Sequence, residues 1–227
     1  MQPLRSFAFN AVLWGSGAAL SLWCALIGRF ARDGILRGAQ CWARASLWAL
    51  RVFCRITIEP EGFGLLPEGG CVVAAQHQSA LDILVWLTLL PRPAFVFKKE
   101  LRRIPVFGPL LEPSGMIPVD RSGGRKALLA MVERAGQAVA DGRQVVIFPE
   151  GTRVAHGVRR ELRHGIAALA QGVEAPVLPA STDSGLRWGP RTFNKRPGPV
   201  RVTLHPPVAK ALTREELLEM LSKLYYD

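Results

Sequence analysis

Between Arg5 and Arg29 the chain runs for 23 residues without a charged side chain. As a helix rising ~1.5 Å per residue, that stretch reaches about 35 Å, enough to cross the ~30 Å hydrocarbon core of a bilayer. A fold containing such a segment must either bury it or leave it in lipid. A cleaved signal peptide competes for the same residues. The apolar region is overlong for one, however, and no small-x-small cleavage site precedes the Arg-rich flank. Arg29, Arg32 and Arg37 follow the segment, whereas only Arg5 and the amino terminus precede it. The positive-inside rule then leaves the rest of the chain on the cytoplasmic side of a cytoplasmic membrane. Asn10, Gly15, Ser16 and Gly17 weaken the segment as a simple span, and a helix lying within one leaflet fits as well.

Residues 34–55 carry a second helical pattern. Arg37, Arg44 and Arg51 recur every seven positions with Arg55 four further on, which makes one basic stripe. Leu36, Ala43, Leu47, Leu50 and Cys54 form an apolar face flanked by Trp42 and Trp48. Trp and Arg on one amphipathic helix suit the headgroup level of a membrane. An ordinary packed helix with a solvated Arg face fits the same spacing. The net charge of +11 calls for an anionic partner, either a membrane surface or nucleic acid. Residues 1–55 hold seven Arg and one Asp, so the densest positive excess sits on the most apolar part of the chain. That distribution points to membrane lipids as partners and away from nucleic acid, for which no helix-turn-helix, zinc-finger or RNA-binding signature appears. Cys24, Cys41, Cys54 and Cys71 have no CxxC spacing and read as buried free thiols in a reducing compartment.

From Glu59 onward the texture is that of a globular domain. β-rich runs fall at 71–75, 94–97, 116–119, 144–148, 177–180 and 200–204. Helical patterns at 81–90, 124–141, 161–171 and 214–225 separate several of them. Thr213 and Glu216 have capping-box spacing for the last helix. The alternation predicts an α/β fold, a mixed, mostly parallel sheet flanked by helices. Residues 1–56 are expected to be anchoring helices and residues 57–227 the working domain. One long basic loop, 183–199, stands apart (DSGLRWGPRTFNKRPGP).

Candidate chemistry gathers just past the strands, where open α/β sheets place their sites. The run at 71–75 leads into His77, with Asp82 five positions on. If the two meet, His77 sits in the turn and Asp82 in the first helical turn behind it, since five residues rotate a helix by about 140°. Ser79 to Asp82 is also capping-box spacing, so on spacing alone Asp82 serves equally well as a cap. The run at 144–148 leads into Pro149-Glu150-Gly151-Thr152-Arg153. Gly151 there lets a ligand approach the backbone, and Arg153 offers a planar fork for phosphate. A plain surface ion pair between Glu150 and Arg153 is the other reading. Lys98 and Arg121 follow two further strands. Together these ends would make a cationic pocket with a His–carboxylate pair at its edge.

In their order these blocks resemble the 1-acyl-sn-glycerol-3-phosphate acyltransferase family. His77–Asp82 matches its H-x4-D block, and Gly115–Arg121 its G-x-I-x-x-D-R-like block. Phe148–Arg153 reads F-P-E-G-T-R, and Ala175–Pro179 resembles its proline-containing fourth block. Two departures occur: Gln76 stands where Asn often precedes the motif His, and Leu162-Arg163-His164-Gly165 replaces F-K-x-G. The resemblance implies a glycerol-3-phosphate acyltransferase-like fold with an N-terminal membrane-associated helix pair. It also implies acyl transfer to the sn-2 hydroxyl of 1-acyl-sn-glycerol 3-phosphate from acyl-CoA or acyl-carrier protein, giving phosphatidic acid. His77 would be the general base and Asp82 its orienting carboxylate. Lys98, Arg121, Glu150, Gly151, Thr152 and Arg153 would hold the substrate. Neither metal nor bound cofactor is implied. Glycerol 3-phosphate or another lysolipid as acceptor, and a noncatalytic lipid-binding protein of the same fold, are the alternatives.

Overall fold

The computed structural model describes residues 2–27, 32–105, 107–209 and 212–227. Arg29, counted above among the flanking cations, lies outside the described residues.

Helix α1 (Gln2–Ile27) packs against α2 (Arg32–Ala49), which runs on into a π-helical turn, Leu50–Cys54. The helix Gln2–Cys24 is long and apolar enough to cross a membrane by length and composition, and little of it is buried in the protein. Its two faces are unusual in polarity. Ser6, Phe9, Leu13 and Ser21 turn inward, while Leu4, Phe7, Trp14, Leu22 and Trp23 are exposed. Along α2 and the π-helical turn the expected division holds: Leu36, Ala43, Leu50 and Cys54 are buried and Leu47 half-buried, while Arg37, Arg44 and Arg51 lie on the exposed side. Arg55 ends the turn in the left-handed region, φ 55°, and redirects the chain into the sheet.

Among the described residues seven strands form one sheet. They are β1 (Ile56–Glu61), β2 (Cys71–Ala75), β3 (Pro93–Lys98), β4 (Ile117–Val119), β5 (Gln144–Ile147), β6 (Val177–Thr182) and β7 (Gly198–Leu204), in the order β1-β7-β6-β2-β5-β3-β4. Every pairing is parallel except β6 with β7, so β6, β2, β5, β3 and β4 all end at the same edge. The mixed, mostly parallel sheet is the one the sequence predicts. Strand β1 is not among the predicted runs. Thr57, Glu59 and Glu61 make it polar and Pro60 interrupts it, which an edge strand tolerates because one side of its backbone needs no ladder partner.

The central strands alternate between two cores, as a period of two requires. In β2, Cys71, Val73 and Ala75 join a core shared with α1, α2 and α3 (Leu81–Leu89), whereas Val72 and Ala74 join the opposite one. That second core is completed by Met131 and Ala135 of α5 (Gly124–Ala140), Ile166 and Leu169 of α6 (Gly165–Gly172), and Leu217 and Leu221 of α7 (Arg214–Tyr226). A short helix α4 (Gly108–Leu111) precedes β4. Thr213 and Glu216 form the expected capping box on α7. Helix α6 starts four residues later than predicted, because the Arg163 N–H donates to the Pro149 carbonyl at 2.7 Å and holds residues 161–164 across the turn after β5. The apolar N-terminal pair and the sheet share one continuous core.

Candidate active site

Strands β2 and β5 are neighbours, so the turns at their ends meet. The Val154 N–H donates to the His77 carbonyl at 2.8 Å, and the His77 N–H donates to Glu150 Oε2 at 2.5 Å. The His77 ring stacks on Phe148, centroids 4.0 Å apart and planes 18° from parallel. Its side chain is 13% exposed, at the edge of the surface.

Asp82 lies beside it, 2% exposed, with Oδ2 2.9 Å from His77 Nδ1. The same oxygen accepts the Gln78 and Ser79 N–H groups at 2.8 and 2.9 Å, while Oδ1 accepts the Ser184 hydroxyl at 2.5 Å. Ser79 Oγ in turn accepts the Leu81 N–H at 3.1 Å. The carboxylate therefore ties down the turn that leads into α3 and holds the imidazole. The capping box that the Ser79–Asp82 spacing allows does not close: α3 starts after Ala80 without a side-chain cap, and Ser79 Oγ takes the Leu81 N–H instead. Each other neighbour of Asp82 is a donor, so the carboxylate only accepts and Nδ1 carries the proton. The lone pair is left on Nε2, the arrangement a general base needs.

Glu150 sits beneath this turn, 0% exposed. Besides the His77 N–H, it accepts the Tyr226 hydroxyl on Oε1 at 3.0 Å. Burial pushes its carboxyl up to about 7, against the pull of those hydrogen bonds, and Tyr226 is pushed above the ordinary phenol range by burial and by Glu150. The sequence reading placed Glu150 with the substrate-holding residues. In the fold both its oxygens face the chain's own donors, and it braces the backbone of His77 from below.

The remaining candidates lie toward β3 and β4. Gly151 takes φ +68°, a conformation glycine enters without penalty. Its carbonyl accepts Arg121 Nη1 at 2.6 Å, so Arg121 reaches back from the end of β4 over the turn after β5. Arg163 also crowds there: a Cβ on Gly151 would lie 3.3 Å from Arg163 Cγ and 3.9 Å from Arg121 Nη1. Burial, and then the nearby Arg163, lower the Arg121 guanidinium, as two cations sharing one place must. Arg163 comes from the block that departs from F-K-x-G, and the fold brings its cation to the mouth of the site. Asp120 next to Arg121 is committed to Lys99 and Ser122. Lys98 and Glu100 form a loose exposed pair at 4.0 Å. Thr152 and Arg153 are exposed on the turn whose next residue bonds the His77 carbonyl.

Phe148, Ser184, Tyr226 and Arg163 are the contributors that sequence reasoning did not single out. Phe148 and Arg163 lie inside the family blocks and Ser184 inside the basic loop 183–199, but nothing in spacing links Ser184 or Tyr226 to residue 77. Among the described residues no group of three or more His, Cys, Asp or Glu is placed to hold a metal ion. The four cysteines are free; Cys24, Cys54 and Cys71 are buried as expected, whereas Cys41, on the outer side of α2, is exposed.

Comparison with known proteins places the chain in one family. Residues 57–183 match the protein family described as Acyltransferase. A 1-acyl-sn-glycerol-3-phosphate acyltransferase from Pseudomonas aeruginosa is 33% identical over 212 residues, covering 91% of this chain and 81% of that relative. One from Cocos nucifera is 29% identical over 202 residues, 86% of this chain and 64% of that protein. In three dimensions the chain is similar to the crystal structure of the 1-acyl-sn-glycerophosphate (LPA) acyltransferase PlsC from Thermotoga maritima. The TM-score is 0.74 at 23% identity, over 99% of this chain and 93% of that one.

Proposed function

Since the chain belongs to the acyltransferase family of the 1-acyl-sn-glycerol-3-phosphate acyltransferases, we propose that it acylates the sn-2 hydroxyl of 1-acyl-sn-glycerol 3-phosphate, giving phosphatidic acid. The donor is a thioester, acyl-CoA or acyl-carrier protein. The observation that carries this reading is His77 held through Nδ1 by a buried carboxylate, with Nε2 free to take a proton. Nε2 removes the proton of the acceptor hydroxyl as its oxygen attacks the thioester carbon. Asp82 stabilises the imidazolium that forms. The tetrahedral intermediate collapses, the carbon–sulfur bond breaks, and the thiolate leaves with the proton returned by His77. The acceptor is itself the nucleophile, so no enzyme serine or cysteine is needed.

Phosphate recognition falls to the cations on the neighbouring strand ends. Arg121, Arg153 and Lys98, joined by Arg163, offer the charge that a phosphomonoester requires, while Gly151 shapes the turn that carries them and Thr152 lies exposed beside it. Residues 1–56 seat the enzyme on membrane lipid through the exposed apolar face of α1 and the Arg and Trp of α2, with residues 57–227 facing the cytoplasm. The test is purified enzyme supplied with lysophosphatidic acid, monoacylglycerol or glycerol 3-phosphate, each with both thioester donors. Phosphatidic acid formed from the first acceptor, well above the other two products, is expected. Equal use of monoacylglycerol would remove the phosphate from the specificity argument.

A further inference from the structure

The basic loop 183–199 has no task in the transfer chemistry, yet its two ends are tied to the two functional parts of the molecule. At one end Ser184, fully buried, donates its hydroxyl to Asp82 Oδ1, and the Gly185 N–H donates to Gln78 Oε1 at 3.0 Å. There is no slack at this end: a Cβ on Gly185 would lie 2.8 Å from Gln78 Oε1.

At the other end Lys195 is 2% exposed and locked to α1 through backbone and side chain alike. Its N–H donates to Ser6 Oγ at 3.0 Å, and its carbonyl accepts Gln2 Nε2 at 3.0 Å. Its ammonium donates to Asn10 Oδ1 at 2.5 Å and to the Phe193 carbonyl at 2.8 Å. The same ammonium lies over the rings of Trp188, Phe9 and Phe193 at 4.4, 5.3 and 5.4 Å. Burial lowers it to about 8. A buried cation without a carboxylate is a costly way to fill space, and an apolar side chain would pack there without that cost. What the lysine supplies is a fixed geometry: three donors and a ring cage admit one placement of the loop on α1. The two ends are joined rigidly, since the Trp188 N–H donates to the Ser184 carbonyl at 2.9 Å and the Trp188 ring meets Phe9 edge-on at 5.5 Å. The Arg196 N–H closes the loop on the Arg187 carbonyl at 2.8 Å.

We propose that loop 183–199 is a positioning strap that makes the alignment of His77 and Asp82 depend on the seating of α1, with Ser184 acting through Asp82 and Lys195 as the anchor on the helix. The path is short: α1 to Lys195 and Trp188, to Ser184, to Asp82, to His77. The exposed face of α1 is apolar, so the surface that seats the helix is also the one from which the acceptor comes.

The inference rests on the acyl-transfer reading, which wild-type turnover tests independently; the strap is read only from ratios to wild type. The experiment is a double-mutant cycle on the full chain, reconstituted in phosphatidylglycerol-containing vesicles and normalised to the folded fraction by circular dichroism. Ser184→Ala and Lys195→Met are each expected to lower kcat by about tenfold, as loss of one charge-assisted hydrogen bond allows, with both KM values within about twofold of wild type. If both act through one strap, the double variant loses little more than either single change, about tenfold rather than about a hundredfold. Should Lys195→Met not fold, Asn10→Ala removes the same anchor from the helix side and takes its place in the cycle. Losses that multiply to about a hundredfold, or a far-end variant with wild-type kcat, overturn the strap. A loss carried wholly by the KM values overturns it as well.

Discussion

Asp82→Asn separates a brace for the turn before α3 from a catalytic partner, because the fold tells which way the new amide must point. Asp82 Oδ2 takes three N–H donors, from His77, Gln78 and Ser79, whereas Oδ1 takes only the Ser184 hydroxyl. An amide nitrogen facing three N–H groups would leave all of them unsatisfied. The asparagine therefore keeps its oxygen on that side and turns its NH2 to Ser184, whose hydroxyl can accept instead. The turn before α3 and the His77 tautomer survive. What disappears is the negative charge facing the imidazolium. A hydrogen bond to a charged partner contributes about 1.5–3 kcal/mol, so kcat should fall by about 10- to 150-fold at 1.4 kcal/mol per decade. The loss should stay short of the ~10⁴-fold seen where the same substitution also imposes the wrong tautomer. Steady-state release of free thiol, followed with a chromogenic reagent at saturating acceptor, gives kcat, and thermal unfolding checks the fold. Wild-type turnover in a folded Asp82→Asn enzyme would reduce Asp82 to a brace for the turn and remove the orienting carboxylate from the mechanism. A drop in Tm matching the drop in activity would also defeat the reasoning, since the amide would then not have been accommodated.

Three other outcomes follow from the same structure. Burial holds the Glu150 carboxyl at about 7 in the folded chain against an ordinary 4.5, so between those values the native state keeps a proton the unfolded chain has shed. Its contribution is fully present below about 4.5 and is lost as pH rises through 7, on the order of 3 kcal/mol across the window; Glu150→Gln should flatten the dependence of Tm on pH, and an unchanged slope would refute the assignment. Arg153→Ala should cost about 10- to 150-fold in kcat/KM for the phosphorylated acceptor while barely lowering the residual rate with monoacylglycerol, and Arg153→Lys should recover only part of it; equal losses with both acceptors would show that Arg153 does not read the phosphate. Phe7→Ser, Trp14→Ser and Leu22→Ser together change only exposed positions of α1, so they should move the protein from vesicles to buffer with little change in Tm; full vesicle retention would mean that this face does not meet lipid.

The strand-to-helix turns could be read from residues because their signals are local. A buried strand written CVVAA, a His, and a Ser-x-x-Asp start to a helix leave few conformations for residues 71–82, and the spacing of His77 and Asp82 already forbids one shared helix face. What that pattern left open was whether Asp82 caps or orients. The fold answers that one oxygen, Oδ2, meets His77 and ties down the turn before α3, while Oδ1 goes to Ser184. Glu150 shows the opposite limit. Its neighbours Gly151 and Arg153 suggest a ligand turn, and only the stacking of α7 behind the sheet reveals that Tyr226 and the His77 N–H enclose it.

By itself, then, the sequence determined what depends on short-range order: the two N-terminal helices, the alternation of strands and helices, the capping box at Thr213, and the ordered blocks that mark the family. The tertiary structure decided what depends on residues far apart in the chain. It set β2 beside β5 and β6, which brings His77 to Glu150 and Ser184 to Asp82. It also placed Arg163 over Gly151 and drove Lys195 into α1 across 185 positions to Asn10. The physical reason is the order of the strands. Hydrophobic periodicity fixes which face of a strand is buried, but not which strand lies next to it. A site assembled on the ends of neighbouring strands therefore takes its membership from that order, and a buried lysine on a loop betrays nothing of its partners until the helix it grips is in place.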